Sequence, residues 1–164
     1  MRHRAQIDWR FTDSCRQFLL LDGVEYRVAQ GSPLGNNCLI DSLRQCLDNL
    51  ECDPRVVRKD LLDRFGGLPA NDDAYVGPGN FLAAEEHWQS IVQRLFARNS
   101  CGRPTTCNID DYCLIVLNRN NPEHGGNVIG DLHHAPYRLV IANSSKLHFD
   151  PCLRTGGASS SSRN

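Results

Sequence analysis

The stretch Gln30-Gly31-Ser32-Pro33-Leu34-Gly35-Asn36-Asn37-Cys38-Leu39-Ile40-Asp41-Ser42-Leu43 changes character at Cys38. Its first half is dense in turn formers, so the chain loops there. From Leu39 onward Leu39, Ile40, Leu43, Cys46, Leu47 and Leu50 recur at helical spacing, with Asp41, Arg44 and Asp48 expected on the opposite face. Upstream, two apolar runs between Gln17 and Ala29 flank Asp22-Gly23, a pair suited to the positive backbone angles of a tight turn, which predicts an antiparallel hairpin over 17–29. Downstream, Asp53 as N-cap and Pro54 at the first helical position open a second helix carrying Val56, Val57, Leu61, Leu62 and Phe65, which Gly66-Gly67 stops. After a loop from Pro69 to Asn80, a third helix over about Leu82 to Arg98 aligns Trp88, Ile91, Val92, Leu95 and Phe96.

Beyond it the pattern turns to strands. They are Tyr112 to Leu117, Tyr137 to Ile141 and Lys146 to Asp150, the last entered through a hairpin turn at Asn143-Ser144-Ser145. The polar stretch from Asn118 to Gly130 reads as loop. This order predicts an α+β fold, a small central sheet flanked by helices. Residues 1–153 form one domain, and 154–164, with four consecutive serines, form a disordered tail.

With 164 residues, 40% of them hydrophobic, the chain can bury one core without metal or disulfide staples. Its 18 basic and 19 acidic side chains leave a net charge of -1, which argues against a nucleic-acid or membrane partner bound by bulk charge. No run approaches the ~18–20 apolar residues of a membrane span, and Met1 to Asp8 lacks the apolar centre of a secretion signal. A monomer in a reducing, cytoplasmic compartment is expected, with most of the eight cysteines reduced and buried.

Cys38 differs from the other seven by its place between a Gly/Asn-rich loop and a helix start. Helix N-termini lower thiol pKa values, and the thiolate is the nucleophile. Backbone N–H groups of Gly35, Asn36 and Cys38 could converge on an oxyanion. A nucleophilic cysteine needs a base and an orienting group. His148-Phe149-Asp150 offers both, since residues i and i+2 of a strand share a face while Phe149 turns to the core. His124, His133 and His134 are the alternative bases, but they sit in a Gly-rich loop or before a proline with no following acid.

Pro33 to Ile40 resembles the active-site loop of the ovarian-tumour (OTU) cysteine proteases, Asp-Gly-Asn-Cys-Leu-Phe, with Gly35 and Asn36 in place of its aspartate and glycine. His148-Phe149-Asp150 resembles the His-Tyr-Asp/Asn that ends that domain, and His87-Trp88-Gln89-Ser90-Ile91 with Leu95 resembles the helix preceding its sheet. The similarity spans about 33–152. It implies an OTU-like, papain-like cysteine protease fold and a deubiquitinase that cleaves after the C-terminal glycine of ubiquitin or polyubiquitin. Cys38 would be nucleophile, His148 base, Asp150 orienting acid, and the Gly35–Asn36 backbone the oxyanion hole. No metal or organic cofactor is required. The loops 69–79 and 118–130 would grip ubiquitin, and the place of action would be the host cytosol if the domain is a secreted bacterial or viral effector.

Three other functions compete with this reading. A zinc module would use Cys101, Cys107, Cys113 and His133 or His134, although their spacing is wider than paired zinc ligands favour. Another papain-like enzyme, such as a deamidase, a transglutaminase or a protease for a ubiquitin-like protein, would use the same Cys38 and His148. A degenerate OTU fold would bind ubiquitin without cleaving it. Finally, Leu153-Arg154-Thr155-Gly156-Gly157 looks like a ubiquitin-like C-terminus, a chance match in a low-complexity end.

Overall fold

A computed structural model of the chain describes residues 2–3, 7–32, 37–47, 51–65, 84–98, 108–120, 126–129, 134–145 and 148–156. Asp22 and Gly23 adopt φ values of 50° and 76°. This is the expected tight turn, and it joins β3 (Phe18–Leu21) to β4 (Val24–Val28). Ahead of the hairpin lie two strands that the sequence patterns did not suggest, β1 (Arg2–His3) and β2 (Trp9–Phe11). Both are too short to show an alternation of their own.

The helices follow their sequence signals closely. They are α1 (Cys38–Cys46), α2 (Pro54–Phe65) and α3 (Ala84–Ala97). The Asp53 carboxylate accepts the Arg55 backbone N–H at 2.9 Å, the N-cap bond read from Asp53-Pro54. Asp60 of α2 accepts from Arg98 at 2.7 Å, tying α2 to the end of α3. One expectation fails. The spacing predicts Asp41 on the solvent face of α1, yet it is buried, because four polar hydrogens converge on it.

The remaining strands are β5 (Tyr112–Asn118), β6 (Gly126–Ile129), β7 (Tyr137–Ser145) and β8 (His148–Arg154). Eight strands among the described residues form one sheet in the order β1-β6-β5-β7-β8-β4-β3-β2. Every neighbouring pair is antiparallel except β5 and β7. The sheet is therefore wider than expected. Part of the difference is β6, which occupies 126–129 within the stretch read as loop and pairs with β5 through Leu114–Ile129 and Ile115–Val128.

Two further readings are corrected near the end. Asn143 to Ser145 are not a turn; β7 runs through them with a register irregularity between Asn143 and Ser145. β8 does not stop at Asp150 but continues through Pro151 to Arg154. The proline is tolerated because its carbonyl, and hence its N side, faces Ala29, just past the last paired residue of β4, so the donor it lacks falls at the end of that pairing. Residues 157–164 of the expected tail lie outside the described residues. Arg154 and Thr155 are bonded: Arg154 pairs with Tyr26, and Thr155 donates its backbone N–H to Glu25 at 3.2 Å.

The core lies on both faces of the central strands, as a parallel pair such as β5–β7 requires. On one face Leu114, Leu139 and Ile141 pack under the three helices with Ile40, Leu43, Trp88 and Ile91. On the other, Ile115, Leu117, Val140 and Ala142 meet Trp9, Leu19, Leu21 and Tyr26 from β2–β4, so the sheet curls around that cluster. The result is an α+β fold with helices on one face. No described helix is long and apolar enough to cross a membrane.

Candidate functional site

The site forms where α1 and the segment before it meet β8. Alternation along β8 sets His148 and Asp150 on one side, and His148 Nε2 lies 3.0 Å from Asp150 Oδ1. The same oxygen accepts the Gly31 backbone N–H at 3.0 Å, and Oδ2 accepts from Arg119 Nη1 at 3.3 Å. Asp150 is thus a buried carboxylate with a partner on each oxygen, the arrangement that makes such burial tolerable. With Nε2 facing Asp150, Nδ1 is the ring nitrogen left to take a proton. His148 remains partly exposed, as a group meeting substrate must be.

Two more bonds bind this region to β8: Ala29 N–H donates to the Pro151 carbonyl at 2.9 Å, and Ser42 Oγ donates to the Phe149 carbonyl at 3.1 Å. Gly31 fits because it has no side chain. A Cβ there would stand 2.5 Å from the Phe149 carbonyl oxygen and 2.7 Å from Ser42 Oγ. Asp41 fixes the other side. It accepts the Ser32 backbone N–H at 2.8 Å, Arg44 Nε at 2.9 Å and Nη2 at 2.8 Å, and Gln45 Nε2 at 3.0 Å. The approach to Cys38 is therefore anchored both to the helix it opens and to the strand carrying His148.

Cys38 is the first residue of α1 and is 4% exposed. Burial pushes its thiol above the ordinary range; hydrogen bonds with the Phe149 and Leu39 backbones pull it partly back, and the nearby Asp150 charge raises it again. This reverses the expectation that a helix N-terminus alone would bring the thiol toward neutrality. Desolvation outweighs the helix because the side chain is enclosed between α1 and β8.

A cleft of about 450 Å³ opens beside the imidazole, lined by Gln17, Arg27, Gln30, Arg119, His148 and Asp150 among others. The other residues singled out from sequence are distributed differently. Gly35 and Asn36, the oxyanion candidates, lie outside the described residues, as do His124, His133, Cys101, Cys107 and residues 69–79. His134 is exposed just before β7, and Cys113 is buried within β5. Among the described residues no three metal-ligating side chains come together. Three site residues escaped the sequence reading: Gly31, Asp41 and Arg119. Gly31 was one turn former among many, Asp41 looked like a solvent residue, and Arg119 lay in a stretch read as loop.

No protein-family model and no curated protein sequence matches the chain. Among solved structures, an OTU deubiquitinase from Wolbachia pipientis wMel is similar to it, with 19% identity over 82% of this chain and 91% of that one, and a TM-score of 0.39.

Proposed function

We propose that this chain is a cysteine-type deubiquitinase with an OTU-like, papain-like catalytic arrangement, acting on isopeptide or peptide bonds after the C-terminal glycine of ubiquitin or polyubiquitin. One observation carries the reading: the Cys38 thiol bonds with the backbone of Phe149, the residue between the paired His148 and Asp150. The motif resemblance at 33–40 and 148–150 supplies the substrate class.

In this mechanism His148 Nδ1 takes the Cys38 proton as the sulfur attacks the glycine carbonyl. Asp150, on Nε2, fixes the tautomer and stabilises the imidazolium. Backbone N–H groups of the loop ending at Cys38, including those of Gly35 and Asn36, hold the oxyanion. The departing amine takes the proton from His148, leaving a thioester on Cys38. Water, deprotonated by His148, then releases the ubiquitin carboxylate and restores the thiol.

Incubation with a ubiquitin probe bearing a C-terminal electrophile tests the proposal. A covalent adduct is expected for the intact protein, lost in Cys38→Ala and strongly slowed in His148→Ala. Labelling that persists in Cys38→Ala would overturn the nucleophile assignment. Tight ubiquitin binding without an adduct would replace the enzyme with a ubiquitin-binding module.

A further inference from the structure

Asp150 divides its carboxylate unevenly. Oδ1 serves both Gly31 N–H and His148, whereas Oδ2 is held by Arg119 Nη1 at 3.3 Å. The terminal torsion of an aspartate is soft, so contacts to one oxygen alone leave the plane of the carboxylate poorly fixed. Arg119 fixes it from the other side. Its guanidinium also brings a permanent positive charge to a buried carboxylate at the stage when the imidazole is neutral.

Arg119 is itself held by a reciprocal exchange with Arg16. Nη2 of Arg119 donates to the Arg16 carbonyl at 3.1 Å, and Nη1 of Arg16 donates to the Arg119 carbonyl at 3.2 Å. The Arg119 backbone N–H donates to Asn143 at 3.0 Å. Arg16 presents its carbonyl from a left-handed conformation, φ 56°, which a non-glycine residue adopts only when its surroundings enforce it. The enforcing group is Asp13, whose Oδ1 accepts the backbone N–H groups of Gln17 at 3.0 Å and Phe18 at 2.8 Å. The turn between β2 and β3 thus reaches Asp150 through one guanidinium.

We infer that Arg119 is a positioning residue that sets the orientation of the His148–Asp150 pair; the inference rests on the catalytic reading of that pair. By holding Oδ2, Arg119 keeps Oδ1 aimed at Nε2–H and leaves Nδ1 as the proton acceptor. A purely structural Arg119 would only tie the β2–β3 turn to the sheet.

The test compares wild type, Arg119→Ala and Arg119→Lys on a fluorogenic ubiquitin substrate and by imidazole 15N NMR of His148 in its neutral form. Arg119→Ala is expected to lower kcat roughly 10- to 100-fold, the size of effect that small misplacements of catalytic groups produce, with KM nearly unchanged. Arg119→Lys recovers part of the loss. Added guanidinium ion restores Arg119→Ala in a saturable way and leaves His148→Ala inactive. The NMR spectrum shows a single Nε2–H tautomer in wild type and a mixture in Arg119→Ala. A kcat for Arg119→Ala within twofold of wild type, or a loss that guanidinium does not repair with the tautomer unchanged, overturns the inference. If the wild-type protein never labels with the ubiquitin probe, the enzymatic reading falls, and the tautomer comparison alone decides whether Arg119 orients the pair.

Discussion

Replacing Gly31 with alanine separates the proposed role of this segment from the usual effect of such a change. Where the backbone is compatible, Gly→Ala stabilises by about 0.4–1 kcal/mol by restricting the unfolded chain. Gly31 needs no left-handed φ, so its whole cost is steric. The new Cβ would lie 2.5 Å from the Phe149 carbonyl oxygen, and ordinary contact begins at 3.4 Å, so backbone must move by about 0.9 Å. Ser42 Oγ at 2.7 Å and the Cys38 carbonyl at 3.1 Å block the other directions. Overpacking of this kind costs roughly 1–3 kcal/mol, and loss of the bond from Gly31 N–H to the Asp150 carboxylate adds about 1.5–3 kcal/mol. A destabilisation of roughly 2.5–6 kcal/mol follows if both occur. Urea denaturation followed by the fluorescence of the buried Trp9 and Trp88 measures it, with Gly156→Ala as control because a Cβ there meets nothing within 4 Å. Probe labelling by the folded fraction should slow as well, since the wedge pushes Cys38 and Asp150 apart. A Gly31→Ala protein as stable as wild type, with unchanged labelling, would refute the account of how this segment holds the site.

Other expectations are simpler to state. Asp150→Asn keeps the shape but not the charge, and should lower the labelling rate more than about 100-fold while the protein still folds, as judged by circular dichroism. Stability should fall at alkaline pH. The Cys46 thiol is pushed up to about 12 by complete burial, whereas in the unfolded chain it ionises near 9, so its contribution is fully present below pH 9 and is lost as pH rises toward 12. The slope is roughly 1 kcal/mol per pH unit for each such thiol; Cys46→Ala should flatten the decline, and an unchanged slope would count against the burial. At neutral pH iodoacetamide should modify exposed Cys15 long before buried Cys38, Cys113 or Cys152, as peptide mapping can show. Leu43→Ala, at the contact of α1 with the sheet, should cost about 2–5 kcal/mol in the same denaturation assay.

Elements with their own punctuation were legible in the sequence. Asp22-Gly23, Asp53-Pro54 and the apolar spacing of α3 each act over a few residues, and the structure keeps them. What was not legible depends on neighbours far along the chain. β2 and β6 are strands because β3 and β5 lie beside them, and Asp41 is buried because Ser32 and Gln45 reach it. Pro151 hid the second half of β8, since a proline reads as a strand end unless it is known that its N side faces past the end of β4. At the site, the spacing of His148 and Asp150 was enough to foresee their pairing. The partner on the far carboxylate oxygen was not, because nothing local marks Arg119 as facing Asp150 across 31 positions.

Strand β8 lies between β7 and β4, and so joins the two halves of the sheet. It is also the last of the described strands to be synthesised, more than a hundred residues after Cys38. A growing chain can form α1, the β3–β4 hairpin and the β5–β7 core while still lacking the strand that closes the sheet. Until then Cys38 stands at the start of α1 without β8 beside it, and the sheet remains split. A chain that stops before β8 lacks both His148 and Asp150, so closure of the sheet and the arrival of this pair beside α1 come together.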